Sequence, residues 1–155
     1  MKNLAVTVAV LALALLLAAP AAAQSENDLA LTRAEIQKSR QAIIARAMPL
    51  TEDESLAFWP AYRDYRLDMA RLGDRLVKVL KELVESNATL TDDQANRLLD
   101  EYLDLRAQEA AVRQKHVKAF RKLLPPPKVA RFFQLENKLD AVVNYELAQV
   151  IPLTR

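Results

Sequence analysis

Leu90-Thr91-Asp92-Asp93-Gln94 lies between two long segments in which apolar residues recur at helical spacing. The stretch has the pattern of a capping box, in which the Thr91 hydroxyl accepts from a backbone N–H three residues on and the Gln94 side chain reaches back to the N-cap amide. Asp92 and Asp93 place negative charge at the positive end of the helix dipole. We therefore predict that a helix begins at this point.

The same pattern, Leu-Thr-x-x followed by Glu or Gln, occurs twice more upstream. Leu50-Thr51-Glu52-Asp53-Glu54 precedes the first long segment, and Leu31-Thr32-Arg33-Ala34-Glu35 precedes a shorter one. Because a side-chain cap marks a helix N-terminus independently of the residues that follow, the three boxes predict three helix starts.

Prolines predict where these helices end. The residue before a proline avoids the α region, so the first helix ends before Pro49, and Pro125-Pro126-Pro127 ends the third. The last of these prolines can open a fourth helix, since the first helical position needs no N–H. The predicted helices cover residues 33–47, 52–86, 92–124 and 128–150, with Pro152 after the last.

The second and third predicted helices are each ~50 Å long and are joined only by the polar residues 86–89. Two equal helices with a short connection form an antiparallel hairpin. Pro60 lies beyond the first turn of its helix and is expected to bend it, and Gly73 is a second weak point. We predict an all-α fold: a long bent antiparallel helical hairpin with a short N-terminal helix and a closing C-terminal helix.

Apolar residues at three- and four-residue steps predict the buried stripes. On the second helix they are Phe58, Tyr62, Tyr65, Met69, Leu72, Leu76, Val79 and Leu83. On the third they are Leu98, Tyr102, Leu105, Val112, Ala119 and Leu123, widened by Leu99, Leu103, Ala110, Val117, Phe120 and Leu124. The adjacent pairs Phe58-Trp59 and Phe132-Phe133 are expected in the core or in an interface.

These helices carry apolar residues on more than one side, and that surface must be either buried or available for binding a partner. The first and fourth helices can pack across the hairpin, two chains can pair, or part of the surface can stay exposed for binding. We expect a homodimer, since two-fold pairs are the commonest soluble oligomers.

The N-terminus has the layout of a secretory signal peptide, with Lys2, an apolar run and the small residues Ala21-Ala22-Ala23. We expect cleavage near Ala23/Gln24, a periplasmic location without stable membrane insertion, and one helical domain over residues 24–155. Lys2 is the only charge in the leader, so the mature chain has 21 basic and 20 acidic side chains, a net charge of +1. This near-neutral balance, together with export, argues against a nucleic-acid partner.

Composition excludes several kinds of chemistry. A single Gly leaves no phosphate-binding loop or dinucleotide fingerprint, and the absence of Cys removes disulfides and thiolate sites. His116 is the only histidine, and Glu109 lies two turns before it on the same face, too far to share one ion. We therefore expect a half-exposed structural histidine, no metal and no cofactor. No serine has a nucleophile-elbow context, so we expect no enzymatic activity.

The capping boxes, the long helices after them and the leader resemble the LTxxQ (Spy/CpxP-like) family of bacterial periplasmic proteins. The resemblance covers roughly residues 50–124, and it rests on the capping residues Leu50, Thr51, Glu54, Leu90, Thr91 and Gln94. Beyond the caps, at a common offset of 40 positions, three residue pairs also match: Tyr62 with Tyr102, Asp64 with Asp104, and Arg66 with Arg106.

The resemblance implies a bent hairpin that pairs into a cradle-like dimer. It further implies a role in envelope stress, as an ATP-independent chaperone or as an adaptor that restrains a sensor kinase, while some relatives bind zinc, copper or nickel. The chain departs from the family pattern in Glu54, which replaces Gln, in the mid-helix Pro60, and in residues 125–127 with the long helix after them.

Basic and aromatic residues along the second helix form a candidate protein-binding face, since Tyr, Trp and Arg are enriched at protein contacts. Its members are Trp59, Tyr62, Arg63, Tyr65, Arg66, Arg71, Arg75 and Lys78. A plain solvated helix face is the alternative interpretation.

From the sequence we expect a periplasmic envelope-stress protein that binds unfolded or partly folded envelope proteins, or a sensor protein, without nucleotide. The alternative is a periplasmic heavy-metal or signal sensor that passes a signal to a membrane partner. A third possibility is a structural envelope component whose dimer buries all its apolar surface.

Overall fold

The computed structural model describes residues 38–151 and residue 153. The predicted signal peptide, the first capping box and the start of the first helix lie outside these residues. The chain divides into two units, one ending at Ile43 and one beginning at Ile44. Of the first unit, the structure describes a helical segment over residues 38–43, and the architecture below concerns the second. The single domain over residues 24–155 stays a prediction.

The described residues are helical nearly throughout and contain no strand. We label the helices α1, over residues 38–47, α2, Glu52–Ser86, α3, Asp92–Leu123, and α4, Pro126–Val150. The predicted all-α fold is therefore confirmed. No helix of the described part is both long enough and apolar enough to span a bilayer.

The prolines between α3 and α4 set both helix boundaries, each close to its predicted place. α3 ends at Leu123, one residue early, because Leu124 takes an extended conformation ahead of Pro125. α4 begins at Pro126, two residues before the predicted start, because prolines fit the first positions of a helix, where no N–H is needed. The backbone N–H of Lys128 closes the first turn on the Pro125 carbonyl.

α2 and α3 pack side by side as an antiparallel pair. Lys115 of α3 lies 2.8 Å from Asp68 of α2, and Arg97 near the start of α3 pairs with Glu82 near the end of α2. The contacts thus move backward along α3 as they move forward along α2. α2 continues as a helix through Pro60, and the bend expected there stays a prediction.

α4 runs along the hairpin in the same direction as α2. Lys128, in its first turn, contacts Glu54 at the start of α2, and Glu136 two turns later contacts Arg66. This parallel placement closes the open side of the first half of the hairpin.

Five rings form what we call the aromatic cluster, where α2, α3 and α4 meet: Phe58, Tyr62, Tyr65, Phe120 and Phe132. All five are buried, and the centroids of Phe120 and Phe132 lie 4.7 Å apart. Trp59 and Phe133 pack partly buried against the same core, which confirms the core assignment of both adjacent aromatic pairs. A second core, of aliphatic residues, fills the far half of the hairpin: Leu72, Leu76, Val79, Leu98 and Leu105.

The buried stripe of α2 follows the prediction, except that Leu83 is only half-buried. The stripe of α3 follows it only in part. Leu98, Leu105 and Phe120 are buried as predicted, and so are the polar Glu109 and His116, which were not predicted. The predicted stripe residues that are exposed are Leu99, Leu103, Ala110 and Ala119. The predicted stripe went from Val112 directly to Ala119, seven residues on, and left out the polar positions of this face. The helix instead keeps its three- and four-residue steps, because the polar members of the stripe are hydrogen-bonded inside the core.

Candidate functional site

The outer face of α2 is the surface opposite its buried stripe. Its residues are spaced three or four positions apart, so that they fall on one line along the helix. They are Leu56, Pro60, Arg63, Leu67, Arg71, Asp74 and Lys78. All seven are exposed, and no helix of the second unit packs over them.

Two large aliphatic side chains stand out on this face. Leu56 is 72% exposed and Leu67 is 57% exposed, and they lie about 16 Å apart along the helix. The sequence analysis did not single them out, although both lie on the side opposite Phe58. Both leucines lie on a face that no other helix of the second unit covers. They therefore provide apolar surface that a partner can contact.

The outer face carries three cations, Arg63, Arg71 and Lys78, and the carboxylate of Asp74. Among the described residues, neither Arg63 nor Lys78 has an ion-pair partner. Arg71 lies 3.4 Å from Asp68, but its side chain remains 77% exposed. Apolar and cationic positions therefore follow one another along the line from Leu56 to Arg71.

An open groove of about 530 Å³ begins this face, beside the N-terminus of α2. Its apolar lining residues are Leu50, Leu56, Trp59 and Pro60. Its polar and charged lining residues are Thr51, Glu52, Ser55 and Arg63. The Trp59 indole N–H donates to the Ser55 hydroxyl at 2.9 Å, which fixes the ring at the edge of the groove.

Pro60 gives the groove a hydrogen-bond acceptor. A proline has no N–H, so the carbonyl oxygen of Leu56, four residues earlier, lacks the donor that a regular α-helix supplies. Leu56 and Pro60 are both exposed and both line the groove. The groove thus combines apolar walls, a backbone acceptor, the Arg63 guanidinium and the Glu52 carboxylate, groups that a short stretch of polypeptide can contact.

Two members of the predicted binding face are misplaced. Tyr62 and Tyr65 are 3% and 0% exposed, inside the aromatic cluster. The prediction that they lie on a binding surface is wrong, because they share the buried helical stripe of Phe58. Burial raises the pKa of Tyr65, so that its phenol stays neutral.

Two arginines of the predicted face connect helices instead. Arg66 Nη1 lies 3.1 Å from Glu136 Oε2, and the Glu136 side chain is almost fully buried. Arg75 donates to Gln108 on α3 at 3.0 Å and lies 3.7 Å from Asp104. The predicted face is therefore reduced to Arg63, Arg71 and Lys78, with Trp59 at its edge.

Both capping boxes are formed as predicted. The Thr51 hydroxyl accepts from the Glu54 N–H, and the Glu54 carboxylate accepts from the Thr51 N–H at 2.8 Å. Thr91 and Gln94 repeat both bonds at the start of α3. Leu50 and Leu90, which precede the two boxes, are half-buried.

Glu54, which stands where the second box has Gln94, has a second contact. Its carboxylate accepts from Lys128 Nζ at 2.5 Å, in addition to capping α2. That hydrogen bond and the one from the Thr51 amide lower the pKa of Glu54. No cation contacts Gln94 within the described residues, so a neutral amide suffices there.

His116 is buried, so the prediction of a half-exposed histidine is wrong. Its Nε2 lies 2.9 Å from Asp68 Oδ2, and its ring packs edge-on to Tyr65. Hydrogen bonds from Lys115 and then from His116 lower the pKa of Asp68 to about 2. This contact ties α2 to α3 and is a structural feature of the hairpin.

Across residues 38–151 and residue 153, no three His, Cys, Asp or Glu side chains come together in a group that could hold a metal ion. Comparison of the chain with protein-family models, curated proteins and solved structures finds no match.

Proposed function

We propose that this chain is an exported envelope protein that binds exposed segments of other polypeptides along the outer face of α2, as an ATP-independent chaperone or adaptor. The observation that carries the proposal is the sequence of exposed apolar and cationic residues on one helical line from Leu56 to Arg71, with Lys78 further along it. The leader and the resemblance to the LTxxQ family support the periplasmic part of the proposal.

The two residue types supply different steps of binding. Cations such as Arg63 attract acidic segments over a distance of about 10 Å at ordinary ionic strength, which speeds encounter. Leu56 and Leu67 then remove apolar surface of the partner from water, which slows release. High salt is expected to weaken the first step more than the second.

A surface of this kind accepts many partners. Arginine stems cover apolar area while their guanidinium groups stay in water, and neither contact type requires one partner shape. The Leu56 carbonyl beside Pro60 adds an acceptor that any backbone N–H can use. Unfolded or partly folded envelope proteins have all three complementary features.

Light scattering of an aggregating model client, with and without the mature protein, tests the proposal at low and high salt. The test variant is Arg63→Glu with Lys78→Glu, since both side chains are exposed and without ion-pair partners among the described residues. Changing Arg66 or Arg75 would disturb α4 or α3 as well, because these arginines connect helices.

The matched control is Lys118→Glu with Lys138→Glu, which alters net charge equally at exposed positions away from α2. We expect the mature protein to suppress aggregation, the Arg63/Lys78 variant to lose most of that suppression at low salt, and the control to keep it. Equal suppression by both variants, or equal loss in both, would show that the outer face is not the binding surface.

A further inference from the structure

Residues 110–135, which span the end of α3 and the start of α4, contain no Asp or Glu. Their cationic side chains are Arg113, Lys115, Lys118, Arg121, Lys122, Lys128 and Arg131. Further along the helices, cations have an acidic partner one turn away, as Lys81 has in Glu85 and Arg97 has in Glu101. The junction of α3 and α4 therefore carries an excess of positive charge.

Contacts within the fold account for some of these cations and leave three. The contacts are those of Arg113 with Asp140, Lys115 with Asp68, Lys128 with Glu54 and Arg131 with the Ala47 carbonyl oxygen. The remaining cations, Lys118, Arg121 and Lys122, are exposed, and none has an ion-pair partner among the described residues. We call these three residues the basic corner.

The basic corner lies on the outer side of α3. Lys118 follows the buried His116 by two residues, or about 200°, and Arg121 and Lys122 lie one turn beyond Lys118. Side chains at this spacing are neighbours on a helix, and like charges there destabilise it. The helix dipole offsets this cost for Arg121 and Lys122, which lie in the last turn, and less for Lys118 before it. An anionic partner would relieve the remaining repulsion.

The surroundings of the basic corner fit a lipid surface better than a protein. Protein interfaces depend on a few large side chains, above all Trp, Tyr and Arg, that fill pockets of the partner. Every aromatic ring of residues 110–135 is buried or half-buried, and the exposed uncharged residues at the junction are small: Pro125, Pro126, Pro127 and Ala130. Anionic lipid surfaces need no such anchors, because they attract each nearby Lys or Arg by charge.

We propose that the basic corner binds the surface of membranes that contain anionic phospholipids, with Lys118, Arg121 and Lys122 against the phosphate groups and no segment entering the bilayer. Each cation near such a surface strengthens binding about fivefold, so the three together contribute about a hundredfold. The screening length falls from about 10 Å at 0.1 M salt to about 3 Å at 1 M, so high salt abolishes the contact. This partner is separate from the polypeptides of the proposed function, and only its cellular setting rests on the export proposed above.

Sedimentation with lipid vesicles tests the proposal. The mature protein is mixed with vesicles of phosphatidylglycerol and phosphatidylcholine and, separately, with vesicles of phosphatidylcholine alone. The test variant is Lys118→Glu with Lys122→Glu, and Lys118→Gln with Lys122→Gln replaces it if charge reversal disturbs α3. The matched control is Arg63→Glu with Lys78→Glu, which changes the net charge as much as the test variant does, at exposed positions of α2.

We expect the unmodified protein and the control to bind the mixed vesicles at low salt, and to bind neither phosphatidylcholine alone nor the mixed vesicles at about 1 M salt. Both Lys118/Lys122 variants should bind the mixed vesicles at least about tenfold more weakly, because two cations are removed, while their circular dichroism stays helical. Equal binding to the two kinds of vesicle, unchanged binding by the variants, or an equal loss in the control would overturn the proposal.

A fluorescent label shows which part of the surface meets the lipid. Ala130 and Arg121 line the same notch of about 240 Å³ between α3 and α4, so a label at position 130 lies beside the basic corner. The chain has no cysteine, so Ala130→Cys and Leu67→Cys each carry one environment-sensitive dye. Mixed vesicles should shift the emission of the dye at position 130 to the blue and leave that at position 67 unchanged. The reverse result, or equal shifts, would place the contact elsewhere and contradict the proposal.

Competing anions separate a membrane surface from other partners. Inorganic phosphate and polyglutamate, each added at the same concentration of negative charge as the vesicles, should leave the protein bound to the mixed vesicles. Displacement by phosphate would indicate a site for the free ion, displacement by polyglutamate would indicate an acidic polypeptide, and either would overturn the proposal. The Lys118→Glu with Lys122→Glu variant should still suppress client aggregation, so lipid binding and polypeptide binding can fail independently.

Discussion

Lys128 Nζ donates to Glu54 Oε2 at 2.5 Å, so the carboxylate that caps α2 also holds the first turn of α4. One side chain thereby fixes the start of α2 and the return of α4 to the same end of the hairpin. Gln94 caps α3 with the same geometry, and no cation of the described residues contacts it. The two boxes therefore differ in that the Glu54 carboxylate of the first also binds Lys128.

Replacing Glu54 by Gln should separate the two roles. The amide can still cap α2, as Gln94 caps α3, but it no longer forms an ion pair with Lys128. We expect faster amide hydrogen exchange in the first turns of α4 and little change at the start of α2, measured by mass spectrometry. Gln94→Glu is the control and should leave α4 unaffected. Faster exchange confined to α2 would show that Lys128 contributes nothing at this site.

Replacing Asp68 by Asn should make stability less dependent on acid. The folded pKa of Asp68, about 2, lies below its ordinary value of 3.8, so its contribution is fully present above pH 4 and is lost as pH falls toward 2. We expect the variant to be less stable by about 1 kcal/mol at pH 6, after screening by solvent, with the difference vanishing near pH 2. Urea unfolding across this range measures it. A difference independent of pH would contradict the ion-pair account.

Replacing Arg66 by Met should destabilise the fold by about 3 kcal/mol, because it breaks a buried ion pair with the Glu136 carboxylate. The double variant Arg66→Met with Glu136→Leu should recover most of that loss, since an apolar pair needs no charge compensation. Arg63→Met, at an exposed position without an ion pair in the described part of the chain, is the control and should change stability by less than about 0.5 kcal/mol. Equal losses at Arg63 and Arg66 would contradict the assignment of these two arginines.

Replacing Phe132 by Ala should cost about 3–5 kcal/mol, because the side chain is fully buried among the rings of α2 and α3. Thermal or urea unfolding measures the loss. Leu67→Ala removes an exposed side chain of similar hydrophobicity and should cost less than about 0.5 kcal/mol. If Phe132→Ala were as stable as the unmodified protein, α4 would not be part of the core.

Local chemistry explains why the helix boundaries could be predicted from the sequence. A Thr with Glu or Gln three residues on caps a helix whatever its tertiary surroundings, and prolines limit the backbone of the residue before them. The starts of α2 and α3 are therefore as predicted, and the start of α4 differs by two residues. The buried stripe of α2 could be predicted for a similar reason, since its buried side chains from Phe58 to Val79 are all apolar or aromatic.

The stripe of α3 and the binding face depended on contacts between helices, which the pattern of one helix does not contain. Glu109 and His116 look polar in the sequence, yet ion pairs and hydrogen bonds keep them in the core. Arg63 and Arg66 are chemically alike, and only the position of Glu136 on α4 makes one a helix connection and leaves the other on the surface. Leu56 and Leu67 could have been found by asking which large aliphatics lie opposite the predicted stripe.

Site-specific photo-cross-linking is the most direct test of polypeptide binding by the outer face of α2. A benzophenone amino acid is placed at Leu67 on the outer face of α2 and, in a second protein, at the exposed Gln114 on α3. Both are irradiated with an unfolding client. We predict covalent client adducts from position 67 and few from position 114. Equal adducts from both positions, or none from position 67 while aggregation is still suppressed, would contradict binding along this face.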